Sequence, residues 1–217
     1  MRAKRLKIIF EDADLLVVDK PAGLLTSTVP RERRPTLLAM VREYVAAREP
    51  RARVGLIHRL DRDASGLLVF SKNNLAYQSL KTQFFHHSVE REYLALTDGV
   101  PNPREGKIES RLEERADGTV YSTRDPRKGQ RAVTYFEVIE HNRKHALVRV
   151  RLETGRKHQI RAQFAERKTP IVGDVVYGKT KAARLMLAAI KLGFEHPRTA
   201  RKVELSLQVP DGFSLSP

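Results

Sequence analysis

The sequence predicts an α+β fold, a mixed and largely antiparallel sheet with flanking helices. Apolar runs of strand length outnumber segments of helical spacing, and most successive runs are joined by hairpin-length turns. With 217 residues, the chain can bury one substantial core, or one core shared by two lobes.

Taken in order, residues 6–10 and 15–19 form two strands around an acidic turn, and Pro21, Ala22 and Gly23 end the second. Residues 36–48 set Leu37, Leu38, Met40, Val41, Tyr44 and Val45 near helical spacing, with Pro35 at an opening position and Pro50 past the end. Val54, Leu56, Ile57 and Leu60, then Leu67 to Phe70, read as two short buried strands joined by a polar turn at 63–66. Asn73 or Asn74 caps a second helix running to about His87, with Leu75, Leu80 and Phe84 inward. Residues 90–97 form a strand, Asp117-Gly118 turns a hairpin between 107–114 and 119–123, and 133–139 pairs with 146–152. A helix over 158–168 and strands over 185–194 and 203–209 close the chain. Lys20 either touches phosphate or marks the exit of its strand to solvent, and the second is the preferred reading.

Forty-one Lys and Arg against 26 Asp and Glu give a formal net charge of +15, which predicts an anionic polymer as partner. The excess is concentrated in residues 143–168, where nine basic side chains face only Glu153 and Glu166. Cysteine is absent, which excludes disulfides, thiolate metal sites and cysteine-nucleophile chemistry. His86 and His87 lack a third ligand at metal spacing and suit a helix carboxyl end instead. Nowhere do 18 apolar residues follow one another, so no membrane helix is expected and a soluble intracellular protein is.

Asp61 follows an apolar run in this very basic chain, where a strand is expected to give way to a loop. Catalytic groups are common at such points of a rigid scaffold. His58, Arg59 and Arg62 flank it, and a nearby cation favours an ionised carboxylate. On these residues alone, an aspartate that merely closes a turn or pairs with an arginine is the commoner reading.

The motif around Asp61 is one of five segments that belong together. In order they are residues 15–24 (Leu-Leu-Val-Val-Asp-Lys-Pro-Ala-Gly-Leu), His58-Arg59-Leu60-Asp61 with Ser65-Gly66, Arg91-Glu92-Tyr93-Leu94-Ala95, residues 154–161 (Thr-Gly-Arg-Lys-His-Gln-Ile-Arg) and residues 170–178 (Pro-Ile-Val-Gly-Asp-Val-Val-Tyr-Gly). With these, the chain resembles the RluA-type RNA pseudouridine synthases over nearly its whole length, as a member without the small RNA-binding domain that often precedes the catalytic one. Three positions depart from the family pattern. Ala64 stands where Thr is usual, and Gln163 and Ala188 or Ala189 stand where His is usual.

The resemblance implies a single catalytic domain over residues 1–217, with a curved sheet between two small lobes and an RNA cleft across its middle. It implies an isomerase that breaks the N1–C1′ bond of a uridine, turns the uracil and rejoins it through C5, without cofactor or metal. Asp61 is the implied nucleophile, attacking C1′ or removing the C2′ proton. Arg161 is implied as its pairing arginine and Tyr93 as the ring that stacks on the flipped base, its hydroxyl offering a proton acceptor. Arg59 is implied to fill the space that the base vacates. Ile160 and Leu185 are expected as apolar pocket walls, Arg156 and His158 as substrate contacts, and His58 as the group that holds the turn. On the helix over 158–168, Arg161 shares a face with His158, Ala162 and Ala165, with Ile160 and Phe164 packed behind. The expected partner is ribosomal or transfer RNA, the expected state a monomer, and the expected place the cytoplasm. A catalytically silent RNA-binding protein on the same fold is the alternative reading.

Overall fold

The computed structural model describes residues 6–28 and 34–215. Among these residues are three helices, α1 (Leu37–Ala46), α2 (Asn74–Phe85) and α3 (Gln159–Glu166). The first strands are β1 (Lys7–Glu11), β2 (Leu15–Lys20), β3 (Gly55–Leu56), β4 (Ser65–Ser71) and β5 (Glu90–Asp98). They are followed by β6 (Glu105–Glu114), β7 (Val120–Thr123), β8 (Gln130–His141), β9 (His145–Leu152), β10 (Leu187–Glu195) and β11 (Lys202–Ser206). The chain divides into two compact units, residues 1–90 with 191–207 and residues 91–190 with 208–217.

In the first unit β2 pairs antiparallel with β1 and with β4, and Leu15 lies opposite Ser71 and Lys20 opposite Gly66. Every residue of β4 is buried. Its unbroken apolar run carries no alternation because both faces are covered. One face joins Leu15, Val17, Leu67 and Val69 to Ala76 and Leu80 of α2 and to Phe194 of β10. Thr36 caps α1, its hydroxyl accepting from the Ala39 N–H at 3.2 Å, and Asn73 caps α2 through the Ala76 N–H at 3.0 Å. The cap at Asn73 sets the helix phase so that Ala76, Leu80 and Phe84, four residues apart, face the core. Leu75, expected inward, is 48% exposed.

The strand expected at 54–60 is also shorter, because only Gly55 and Leu56 join β4. The next rung would need the Val69 N–H, which instead donates to His58 Nε2 at 3.2 Å. Residues 57–64 are therefore irregular, although Ile57 and Leu60 stay buried. Gly55 is required, since a Cβ there would stand 2.5 Å from Ser71 Oγ.

The second unit orders its strands β5-β9-β8-β6-β7, each pair antiparallel. Gly118, at φ 83°, turns the β6–β7 hairpin as the Asp-Gly pair predicts. Leu112, Val120 and Ala132 of these strands pack with Ala162 of α3 and with Tyr177. Tyr93 to Thr97 of β5 are buried without alternation. No helix among the described residues is long and apolar enough to cross a membrane.

Candidate active site

Asp61 is half-buried in the irregular segment between β3 and β4. No strand ladder fixes this stretch, and side chains take over that task. The Thr26 hydroxyl donates to the Leu60 carbonyl at 2.7 Å and accepts from the Leu60 N–H at 3.3 Å. On the other side of Asp61, the Arg62 carbonyl accepts from the Gly23 N–H and from Lys20 Nζ, both at 2.9 Å. Lys20 also donates to the carbonyls of Pro21 and Leu24, at 3.0 and 2.7 Å, and is fully buried. The strand therefore does not release Lys20 to solvent. Its ammonium turns inward because three backbone carbonyls converge on it.

His58 holds the same turn through its bond to Val69 and a stacked contact with Phe84, with centroids 4.5 Å apart. Arg59 is exposed. Arg62 forks onto Asp63 at 2.9 and 3.2 Å, so the guanidinium beside Asp61 in sequence serves a different carboxylate.

In the second unit Arg161 is 3% exposed. Every residue from Gln159 to Phe164 is buried. The Arg161 guanidinium forks onto Asp174, Nε to Oδ2 at 2.7 Å and Nη2 to Oδ1 at 2.8 Å. Asp174 Oδ1 also accepts from the N–H groups of Val176 and Tyr177. Burial pushes the Asp174 carboxyl up, but the Arg161 hydrogen bonds and charge, with those two N–H groups, outweigh it and leave the pKa below its ordinary value. The Tyr177 ring lies 5.2 Å from the Arg161 guanidinium, and its hydroxyl meets His158 Nδ1 at 2.8 Å and accepts from the Val120 N–H at 2.7 Å. His158 opens α3 in the left-handed region at φ 50°, a strained conformation for a side chain of this kind.

Tyr93 is 7% exposed in the middle of β5, opposite Val150. Arg91, on the same side of β5, donates to the carbonyls of Leu152 and Glu153 at 3.3 and 2.9 Å, and burial pushes its pKa down. Ile160 and Leu185 are buried, whereas Arg156 is exposed and donates from Nε to the Arg131 carbonyl. Two of the departures from the family pattern are accommodated locally. Gln163 accepts from Thr134 and donates to Ser110 and to the Ala132 carbonyl, and Ala188 and Ala189 are buried.

His58, Arg59 and Asp61 thus belong to the first unit. Tyr93, Arg156, His158, Ile160, Arg161 and Leu185 belong to the second. The sequence reading missed Thr26, Asp174 and Tyr177. The last two lie inside the motif at 170–178, where an aspartate set between Ile171-Val172 and Val175-Val176 was a signal that it is buried and paired.

Residues 14–166 match the family described as RNA pseudouridylate synthase. The chain is 34% identical over 226 residues to the ribosomal large subunit pseudouridine synthase D of Zymomonas mobilis, covering 97% of this chain and 71% of that one. It is 37% identical over 219 residues to an uncharacterized RNA pseudouridine synthase of Bacillus subtilis, covering 96% and 71%. The structure of human RNA pseudouridylate synthase domain containing 4 shares the fold, with a TM-score of 0.81 at 23% identity over 95% of this chain and 90% of that one. The chain belongs to the RNA pseudouridylate synthase family. It is an isomerase whose substrate is RNA and whose reaction turns uridine into pseudouridine.

Proposed function

We propose that this isomerase acts on large-subunit ribosomal RNA, with Asp61 as the carboxylate that reacts at the sugar. The target rests on the Zymomonas mobilis relative, which is named for the large ribosomal subunit. The observation that carries the assignment of Asp61 is its setting, a half-buried carboxylate whose neighbouring peptide groups are held on both sides by Thr26, Gly23 and Lys20.

A uridine in folded RNA must leave the stack before its sugar can be reached, at a cost of about a few kcal/mol. In this reading the exposed Arg59 occupies the vacated space and Tyr93 stacks on the extruded base. Asp61 either attacks C1′ or removes the C2′ proton as the N1–C1′ bond breaks. The freed uracil is retained by Ile160 and Leu185, turns, and rejoins through C5. The C5 proton then leaves and N1 gains one, so the RNA mass is unchanged. Arg161 is the arginine assigned to pair with the Asp61 carboxylate. His158 and Arg156 contact the RNA around the target.

The test incubates the purified protein with ribosomal and transfer RNA from cells lacking it, then maps pseudouridine by carbodiimide-dependent primer-extension stops. Wild type is expected to give new stops in large-subunit RNA, and Asp61→Asn none, with RNA affinity within about threefold. Turnover by Asp61→Asn would remove Asp61 from its role. Stops confined to transfer RNA would replace the target, and tight binding without stops would favour a silent RNA-binding protein.

A further inference from the structure

We propose that Thr26 is a positioning residue for Asp61, acting with Lys20 and Gly23 as a clamp that fixes the backbone on both sides of the reacting carboxylate. The inference rests on the reading of Asp61 given above.

A carboxylate that reacts at one sugar carbon must be aimed to within a fraction of an ångström, and misplacement by about 1 Å can cost about 10²-fold in rate. Strand ladders usually supply that rigidity. Here the ladder stops at Leu56, five residues before Asp61, and His58 takes the donor that would have extended it. Something else must hold the turn.

The segment from Lys20 to Thr26 does so at two points. One hydroxyl, on Thr26, engages both backbone groups of Leu60. The Leu60 carbonyl belongs to the peptide that leads into Asp61, so this fixes the plane from which Asp61 departs. Two residues later the Arg62 carbonyl takes two donors, the Gly23 N–H and Lys20 Nζ. Gly23 reaches it at φ 80°, a conformation that side chains disfavour. Only Asp61 and Arg62 lie between the two fixed points.

The clamp is itself anchored. Lys20 ends β2 opposite Gly66 of β4. At the other end, the carbonyls of Leu25 and Thr26 accept from the N–H groups of Leu37 and Leu38 at 2.8 and 3.0 Å, joining the segment to the first turn of α1. Thr26 is 2% exposed and Leu60 5%, so water has little access to replace the bonds. Threonine suits the position because its hydroxyl both donates and accepts while its methyl fills apolar space. Valine has the same shape and neither function.

The experiment compares Thr26→Val and Thr26→Ser with wild type and Asp61→Asn in steady-state and single-turnover pseudouridine formation, well below each variant's melting temperature. Thr26→Val is expected to lower kcat by about 10²-fold with KM for RNA within about threefold, as loss of aim alone requires. Thr26→Ser, which keeps the hydroxyl, should recover kcat to within about threefold of wild type. A folded Thr26→Val with unchanged kcat and only a lowered melting temperature would reduce Thr26 to a packing residue and overturn the proposal. So would a Thr26→Ser as slow as Thr26→Val. Should Thr26→Val fail to fold by circular dichroism, Thr26→Ala takes its place, since the vacated volume admits a water that satisfies Leu60 without fixing it. A loss in kcat then supports the clamp, and wild-type kcat overturns it. Persistence of turnover in Asp61→Asn is the separate outcome that removes the reading of Asp61, whatever the Thr26 variants do.

Discussion

Lys20 and Arg161 are both buried cations, one in each unit of the chain, and they are anchored in different ways. Lys20 spreads its ammonium over three backbone carbonyls, whereas Arg161 lays its guanidinium in a planar fork on the buried carboxylate of Asp174. An ammonium is a compact point charge that can gather carbonyls from several directions, and a guanidinium matches a carboxylate in two parallel bonds. The first arrangement fixes the path of a main chain, and the second fixes the orientation of a side chain. Each anchor fits its proposed task, because Lys20 holds the turn that carries Asp61 and Arg161 is itself assigned to act on charge.

The two anchors should break with different severity. Asp174→Asn removes one partner of a buried ion pair and leaves a guanidinium that water cannot readily reach. A destabilisation of about 3–5 kcal/mol is expected, measured by urea unfolding. Replacing both groups, as Arg161→Met with Asp174→Leu, should cost less than Asp174→Asn alone, because no charge is then stranded. A single variant within about 1 kcal/mol of wild type would contradict a pair that matters for stability. Activity should fall in both, since both lose the aimed guanidinium.

Lys20→Met tests the other anchor and should cost less, about 2–3 kcal/mol, the range for carbonyls that lose a donor on burial. The Arg62 carbonyl keeps the Gly23 N–H, so one of the three remains served. The same urea experiment compares the two directly. Lys20→Met more damaging than Asp174→Asn would reverse the ranking of main-chain and side-chain anchoring.

Much of this was legible in the sequence, and the failures have one physical theme. The β6–β7 hairpin, the cap at Asn73 and the pairing of β8 with β9 follow from local rules about turns, caps and period, and these rules see only a few neighbouring residues. Lys20 was misread because a lysine at a strand end ordinarily reaches solvent, and only carbonyls brought back by Leu24 and Arg62 make burial favourable. Asp174 was not read as the partner of Arg161 because helical spacing alone cannot reveal that a residue thirteen positions later supplies a buried carboxylate. The strand over 54–60 was overdrawn because nothing local signals that His58 will take the N–H of Val69. Long-range polar satisfaction, not hydrophobic pattern, was the part left unread.

Acid sharpens the contrast at the smallest scale. Asp174 titrates and the carbonyls around Lys20 do not. The Asp174 pKa lies below its ordinary value in the folded chain, so its contribution to stability is present above the unfolded pKa of about 4 and is lost as pH falls through the folded pKa. Wild-type stability should therefore decline on acidification below about pH 4. Lys20→Met should decline in parallel from a lower starting point, because its lesion carries no proton. Asp174→Asn should decline less steeply, since its contribution is already missing. Asp14, held down to about 2 by its hydrogen bonds from Arg198, remains in all three and adds the same slope to each. Stability measured by urea unfolding between pH 6 and about pH 2.5, a window set by these carboxylate values, distinguishes the cases. Three parallel curves would mean that Asp174 does not exchange its proton differently on folding, and the fork on Arg161 would then be an anchor of shape alone.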